Sequence, residues 1–68
     1  MKATQREFLR AIIDHPVDIR EIAFLCGMRL SSASMVRNSL LAEGFIAPWS
    51  EYDEPIRITA AGRAAAEA

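Results

Sequence analysis

Asp18-Ile19-Arg20-Glu21-Ile22-Ala23-Phe24-Leu25-Cys26-Gly27, followed by Met28-Arg29-Leu30 and then Ser31-Ser32-Ala33-Ser34, is the stretch whose reading decides the fold. Asp18 is a capping residue with Glu21 three positions on, so a helix starts there. Ile19, Ile22, Ala23 and Cys26 fall on one face of that helix, and Gly27 supplies a left-handed stop. Phe24 and Leu25 project away from that face, with Phe24 the more exposed. A short turn follows, and Ser31 or Ser32 is expected to cap the next helix. Ala33, Val36, Leu40 and Leu41 form its apolar stripe, and Gly44 ends it. Ser31, Ser32, Ser34, Met35, Asn38 and Ser39 are left on the other side, with Arg37 at the border.

Working outward, Thr4-Gln5-Arg6-Glu7 reads as a capping box opening an earlier helix, with Phe8, Leu9, Ile12 and Ile13 as its apolar stripe. His15-Pro16 closes it, because a residue before proline disfavours the helical region. Downstream, Phe45-Ile46-Ala47-Pro48-Trp49 and Ile56-Arg57-Ile58 read as two short strands around the turn Ser50–Pro55. Trp49 is expected to pack across this hairpin onto an alanine-rich helix that Thr59 caps. The expected fold is mainly α with a small β-hairpin, in one domain over residues 1–68: three helices, the hairpin as a wing, and a short last helix.

Length and composition narrow the classes. The chain has 68 residues, of which 51% are hydrophobic and 25% charged, and it holds three Gly and three Pro. That is a globular composition rather than a disordered or low-complexity one. No apolar stretch approaches the roughly 20 residues of a membrane span. The opening residues run into charge instead of an apolar leader, which predicts a cytoplasmic protein with no membrane partner. One cysteine, Cys26, cannot form an internal disulfide, and one cysteine with one histidine, His15, cannot build a four-ligand zinc site. Cys26 reads as a small buried hydrophobe, and His15 as a residue interacting with the helix dipole. With no glycine-rich phosphate loop, paired-carboxylate motif or metal cluster, neither an enzyme nor a cofactor or metal is expected.

The net charge of −1 is unevenly spread. Residues 1–46 carry six basic against five acidic residues, whereas residues 47–68 carry two against four. Glu51, Asp53 and Glu54 stand together in the turn, with Tyr52 among them.

The order of elements, together with Glu21-Ile22-Ala23, Cys26-Gly27 and Ser31 through Ser34, resembles the winged helix-turn-helix superfamily. Leu40-Leu41-Ala42-Glu43-Gly44-Phe45-Ile46 looks like that family's link from recognition helix to first wing strand. Ile58-Thr59-Ala60-Ala61-Gly62-Arg63 is similar to the wing-closing segment of MarR-like regulators. The resemblance implies a DNA-binding transcriptional regulator, with the helix over about Ser31–Glu43 in the major groove of double-stranded DNA. Serines and Asn38 would then hydrogen-bond base edges or phosphates, and Met35 would touch a thymine methyl. Arg20, Arg29 and Arg37 would position the helix on phosphate, and Arg57 would be the basic contact of the wing.

Three features depart from that pattern. The face carrying Ser31, Ser32, Ser34 and Ser39 is poor in charge, with only Arg37 and Arg29 close to it, and a plain polar helix face stays open as its reading. The acidic turn opposes phosphate contact, which supplies most non-specific affinity. Phe24 and Leu25 stand where the family is usually polar. A second expectation is therefore a protein-interaction module or homodimer on the same fold, using Phe24, Leu25, Glu51, Tyr52, Asp53 and Glu54. For the acidic turn, a solvated loop that keeps the hairpin soluble stays open as well.

Overall fold

The computed structural model describes residues 1–68 and contains four helices: α1 (Ala3–Ile12), α2 (Ile19–Leu25), α3 (Leu30–Ala42) and α4 (Ala60–Glu67). Helix α1 packs against α4 and α2 against α3, within extents of 26 × 24 × 21 Å. One cluster of buried side chains ties them: Phe8, Leu9 and Ile12 from α1, Ile19, Ile22 and Ala23 from α2, Ala33 and Leu40 from α3, Ala66 from α4, and Ile46 and Ile56 from the segment before α4. These are the apolar positions that recur at helical spacing, so burial of one stripe per helix sets the packing.

The starts of the helices differ in how they are satisfied. Asp18 Oδ1 accepts from the Glu21 amide at 2.8 Å, as the sequence predicts. Helix α1 begins one residue before the expected cap: the Lys2 amide donates to Gln5 Oε1 at 3.1 Å, and Thr4 lies inside the first turn. Helix α3 begins at Leu30, so neither Ser31 nor Ser32 caps it; Arg29 precedes it with extended backbone and no side-chain cap.

Both α2 and α3 end in the same way. The Met28 amide returns to the Ala23 carbonyl and the Gly27 amide to Phe24; the Phe45 amide returns to Leu40 and the Gly44 amide to Leu41. Two such bonds after a left-handed glycine form a Schellman stop, and Gly27 and Gly44 have φ of +64° and +78°. The turn from α2 to α3 is thereby compact and fixed.

The expected β-hairpin wing is absent: the architecture is all-helical, and no strand or sheet is present. A single antiparallel bridge, Ile46 to Ile58, joins the two arms, with the Ala47 amide donating to the Arg57 carbonyl and the Thr59 amide to Phe45. The ladder stops there for want of free amides. Pro48 and Pro55 have no amide to give, and the Ile56 amide is spent on the Val17 carbonyl at 2.8 Å. The segment after the bridge is therefore a loop fastened to the α1–α2 connection.

Helix α4 closes the fold. Thr59 Oγ1 donates to the Gly44 carbonyl at 2.7 Å and accepts from the Gly62 amide at 3.0 Å, so one hydroxyl caps α4 and ties it to the end of α3. Arg10 Nε donates to the Ala66 carbonyl at 3.2 Å and Arg63 to the Ile13 carbonyl at 3.1 Å, sealing α4 onto α1.

Candidate nucleic-acid interface

The exposed side of α3 follows from what its other side buries. Ala33 and Leu40 are fully buried, with Val36 and Leu41 partly so. At about 100° per residue, Ser31, Met35, Asn38 and Ala42 then share the outward face, flanked by Ser32 and Ser39. All six are exposed, Met35 at 71%, while Ser34 is half-buried at the edge. The face is polar, carries one long apolar side chain and has no charge. Arg20, early in α2, and Arg29, immediately before α3, are both exposed. Arg57 is also exposed, on the second arm of the loop.

Arg37 has a different position from the one expected. It is only 3% exposed, beneath the loop that follows α3, rather than on the border of the outward face. Its guanidinium carbon lies 4.0 Å from the centre of the Trp49 ring and 5.1 Å from that of Tyr52. Its Nη1 donates to the Tyr52 carbonyl at 3.1 Å, and its Nε is buried with no partner. Burial works against its charge and lowers its pKa, while Tyr52 and Glu54 act in the opposite direction. Arg37 is thus a clamp holding the loop to α3, and it has no free donor face to offer a phosphate. Trp49 correspondingly packs on Arg37 and the edge of the core. It has no hairpin to cross toward α4.

The acidic residues also divide. Glu51 and Asp53 are exposed, but Glu54 is half-buried and turned into its own loop, where one carboxylate oxygen accepts from the amides of Ser50 and Glu51 (2.6 Å for Glu51). Those amides, from Glu51 first and then Ser50, hold the Glu54 carboxyl below the ordinary range, with Arg57 and Arg37 adding to the effect. Glu54 therefore shapes the loop, and only Glu51, Asp53 and the half-exposed ring of Tyr52 (44%) face outward from it.

Phe24 and Leu25 are open to solvent at 84% and 57%. They lie off the face of α2 that Ile19, Ile22 and Ala23 turn to the core. Cys26, behind them, is half-buried, and burial, with Glu7 adding to it, raises its thiol pKa. His15 is exposed after α1. The structure thus leaves Arg20 exposed on α2, Arg29 exposed at the start of α3 and Arg57 exposed on the loop, and withdraws Arg37 from the set. The signal for that withdrawal was present in Trp49 and Tyr52, two aromatics able to cover a guanidinium twelve and fifteen residues away.

No helix is long and apolar enough to cross a membrane. The fold is similar to that in the crystal structure of RV1404 from Mycobacterium tuberculosis, with a TM-score of 0.85 at 21% identity over 98% of this chain. The chain spans about half of that protein, 49% of its length. No curated protein matches the sequence. The model of a family described as "Domain of unknown function (DUF8462)" matches residues 1–53, which takes in α1, α2, the fixed turn, α3 and most of the loop.

Proposed function

This chain belongs to the DUF8462 family, whose description names no activity, and from the geometry above we propose that it binds double-stranded DNA as a small transcriptional regulator, with α3 in the major groove. The observation that carries this reading is the outward face of α3, polar and open along its length and held by a compact turn to α2, with Arg20 and Arg29 exposed on α2 and immediately before α3. A helix presented in this way fits the major groove, with flanking guanidiniums on phosphate. The likeness of Glu21–Ser34 to helix-turn-helix regulators supports the same reading.

The test is retention of mixed duplex fragments at low and moderate salt. Each phosphate contact contributes about −0.9 to the slope of log K against log salt. Contacts from Arg20, Arg29 and Arg57 therefore give a slope near −2.7, or roughly a 40-fold loss of affinity between 50 and 200 mM. The double variant Arg20→Ala/Arg29→Ala is expected to cut the slope to about −0.9 without unfolding the protein, because both side chains are exposed. Absence of binding at low salt overturns the proposal.

A second reading, a protein-binding or self-associating module, is favoured by one observation: the exposed Phe24-Leu25 pair. Sedimentation of the wild type against Phe24→Ser tests it. A concentration-dependent mass that the variant abolishes supports it, and a monomer throughout removes the dimer form of the idea.

A further inference from the structure

We infer that the α3 face selects A·T-rich major-groove sequence, reading adenine through Asn38 and the thymine 5-methyl group through Met35; the inference rests on the DNA-binding reading above. It follows from what the structure takes off that face as much as from what it leaves on it. The commonest specific contact to a base is a guanidinium or ammonium group on the O6 and N7 of guanine. Arg37 is the one basic residue inside α3, and it is 3% exposed, with its guanidinium stacked on Trp49 and bonded to the Tyr52 carbonyl. No charged side chain remains among Ser31, Ser32, Met35, Asn38, Ser39 and Ala42.

The chemistry left there is selective in the other direction. Asn38 is exposed, and its carboxamide matches the N6 donor and N7 acceptor of adenine. Met35 lies three residues before it, about 60° round the helix, and its 71% exposed side chain is a flexible apolar rod. Among major-groove edges only thymine offers a methyl group to such a side chain. The two residues therefore reach neighbouring steps of the same groove. The serine hydroxyls accept or donate to any base edge and add no guanine preference. Arg29 precedes the helix as its N-cap, with extended backbone, and is assigned to phosphate in the DNA-binding reading on which this inference rests.

Enrichment of random duplexes by the full 68-residue chain at low salt, followed by sequencing, is the first arm. The expected result is a core of A·T pairs, with a loss of about 5-fold to 150-fold when the adenine opposite Asn38 is replaced. In the second arm, deoxyuridine replaces thymine in the enriched duplex, deleting only the methyl. One methyl's burial corresponds to about a four-fold loss. Met35→Ala, at an exposed site that does not threaten folding, is expected to bind thymine and deoxyuridine duplexes equally. Retention of duplexes without base preference, or enrichment of G·C cores, overturns this inference and leaves the DNA-binding reading standing. Retention of no duplex at all overturns both.

Discussion

Replacing Gly62 by alanine sets two effects against each other, and the geometry decides the sign. On helix propensity, Gly→Ala stabilises by up to about 1 kcal/mol, and restricting the unfolded chain acts in the same direction. In this fold a Cβ at position 62 would lie 2.0 Å from the Phe45 carbonyl oxygen, 2.8 Å from its carbon and 2.9 Å from Ile58 Cγ1. Ordinary contact begins at 3.4 Å, so α4 must retreat by about 1.4 Å, and the main obstacle is backbone that cannot rotate aside. The retreat strains the Thr59 hydroxyl's two bonds, to Gly44 and from Gly62, and opens the core around Ala66. Overpacking costs about 1–3 kcal/mol and a strained hydrogen bond about 1 kcal/mol more. With the propensity gain subtracted, the net expectation is a loss of about 1–3 kcal/mol, against a total of roughly 3–10 kcal/mol for a chain this size. Thermal unfolding followed by circular dichroism should show Tm lowered by roughly 4–24 °C. Ala61→Gly, next door and exposed, is the control: propensity alone predicts a loss of about 1 kcal/mol. A Gly62→Ala protein as stable as the wild type, or more so, refutes the close-approach argument.

Arg37→Ala should destabilise by about 2 kcal/mol. It loses a charge-assisted bond to the Tyr52 carbonyl and two ring contacts, partly offset by relief of the buried, unpartnered Nε. Trp49 emission should shift red as the loop detaches, and an unshifted spectrum counts against the clamp; Arg37→Lys should rescue little, since an ammonium group lacks the flat stacking surface. The Glu54 carboxyl titrates below its ordinary value, so its contribution to loop order is present above the unfolded-state value and disappears as pH falls through the lower folded value. Trp49 emission in the wild type should therefore hold through mild acid and change only below the ordinary glutamate range. Glu54→Gln should lack that step, and an identical acid profile in the two proteins would assign the change to other carboxylates.

Most of what periodicity controls was readable in the chain. The stripes Phe8-Leu9-Ile12, Ile19-Ile22-Ala23 and Ala33-Leu40 are each core, and Asp18, Gly27, Gly44 and Thr59 punctuate the helices as their chemistry dictates. The outward set on α3 followed, since burying one stripe exposes the other. The wing was misread because alternation in Ile56-Arg57-Ile58 signals an extended backbone without naming its partner. Which amides remain free to pair depended on Pro48, Pro55 and a tertiary bond from Ile56 to Val17. Arg37 was misplaced for a related reason. A helical wheel puts a border residue half in solvent, but it has no knowledge of a later loop that folds over it. The helix caps expected at Thr4 and at Ser31 or Ser32 were off by two or three residues, the actual caps being Lys2 and Arg29.

The seam between α1 and α4 also has a consequence for the order in which the protein assembles. Its two arginine bonds join residues 56 and 50 positions apart, close to the largest separation the chain allows, whereas the α2–α3 unit closes across a single turn. Bringing such distant points together costs roughly 3.5 kcal/mol of chain entropy before any contact compensates for it. Helices α2 and α3 are then the pair that forms first and α4 the one that arrives last. By the same reasoning α4 is the first to leave under mild denaturant, so its amides exchange with solvent while those of α3 stay protected. The outward face of α3 is thus carried by the most persistent half of the molecule.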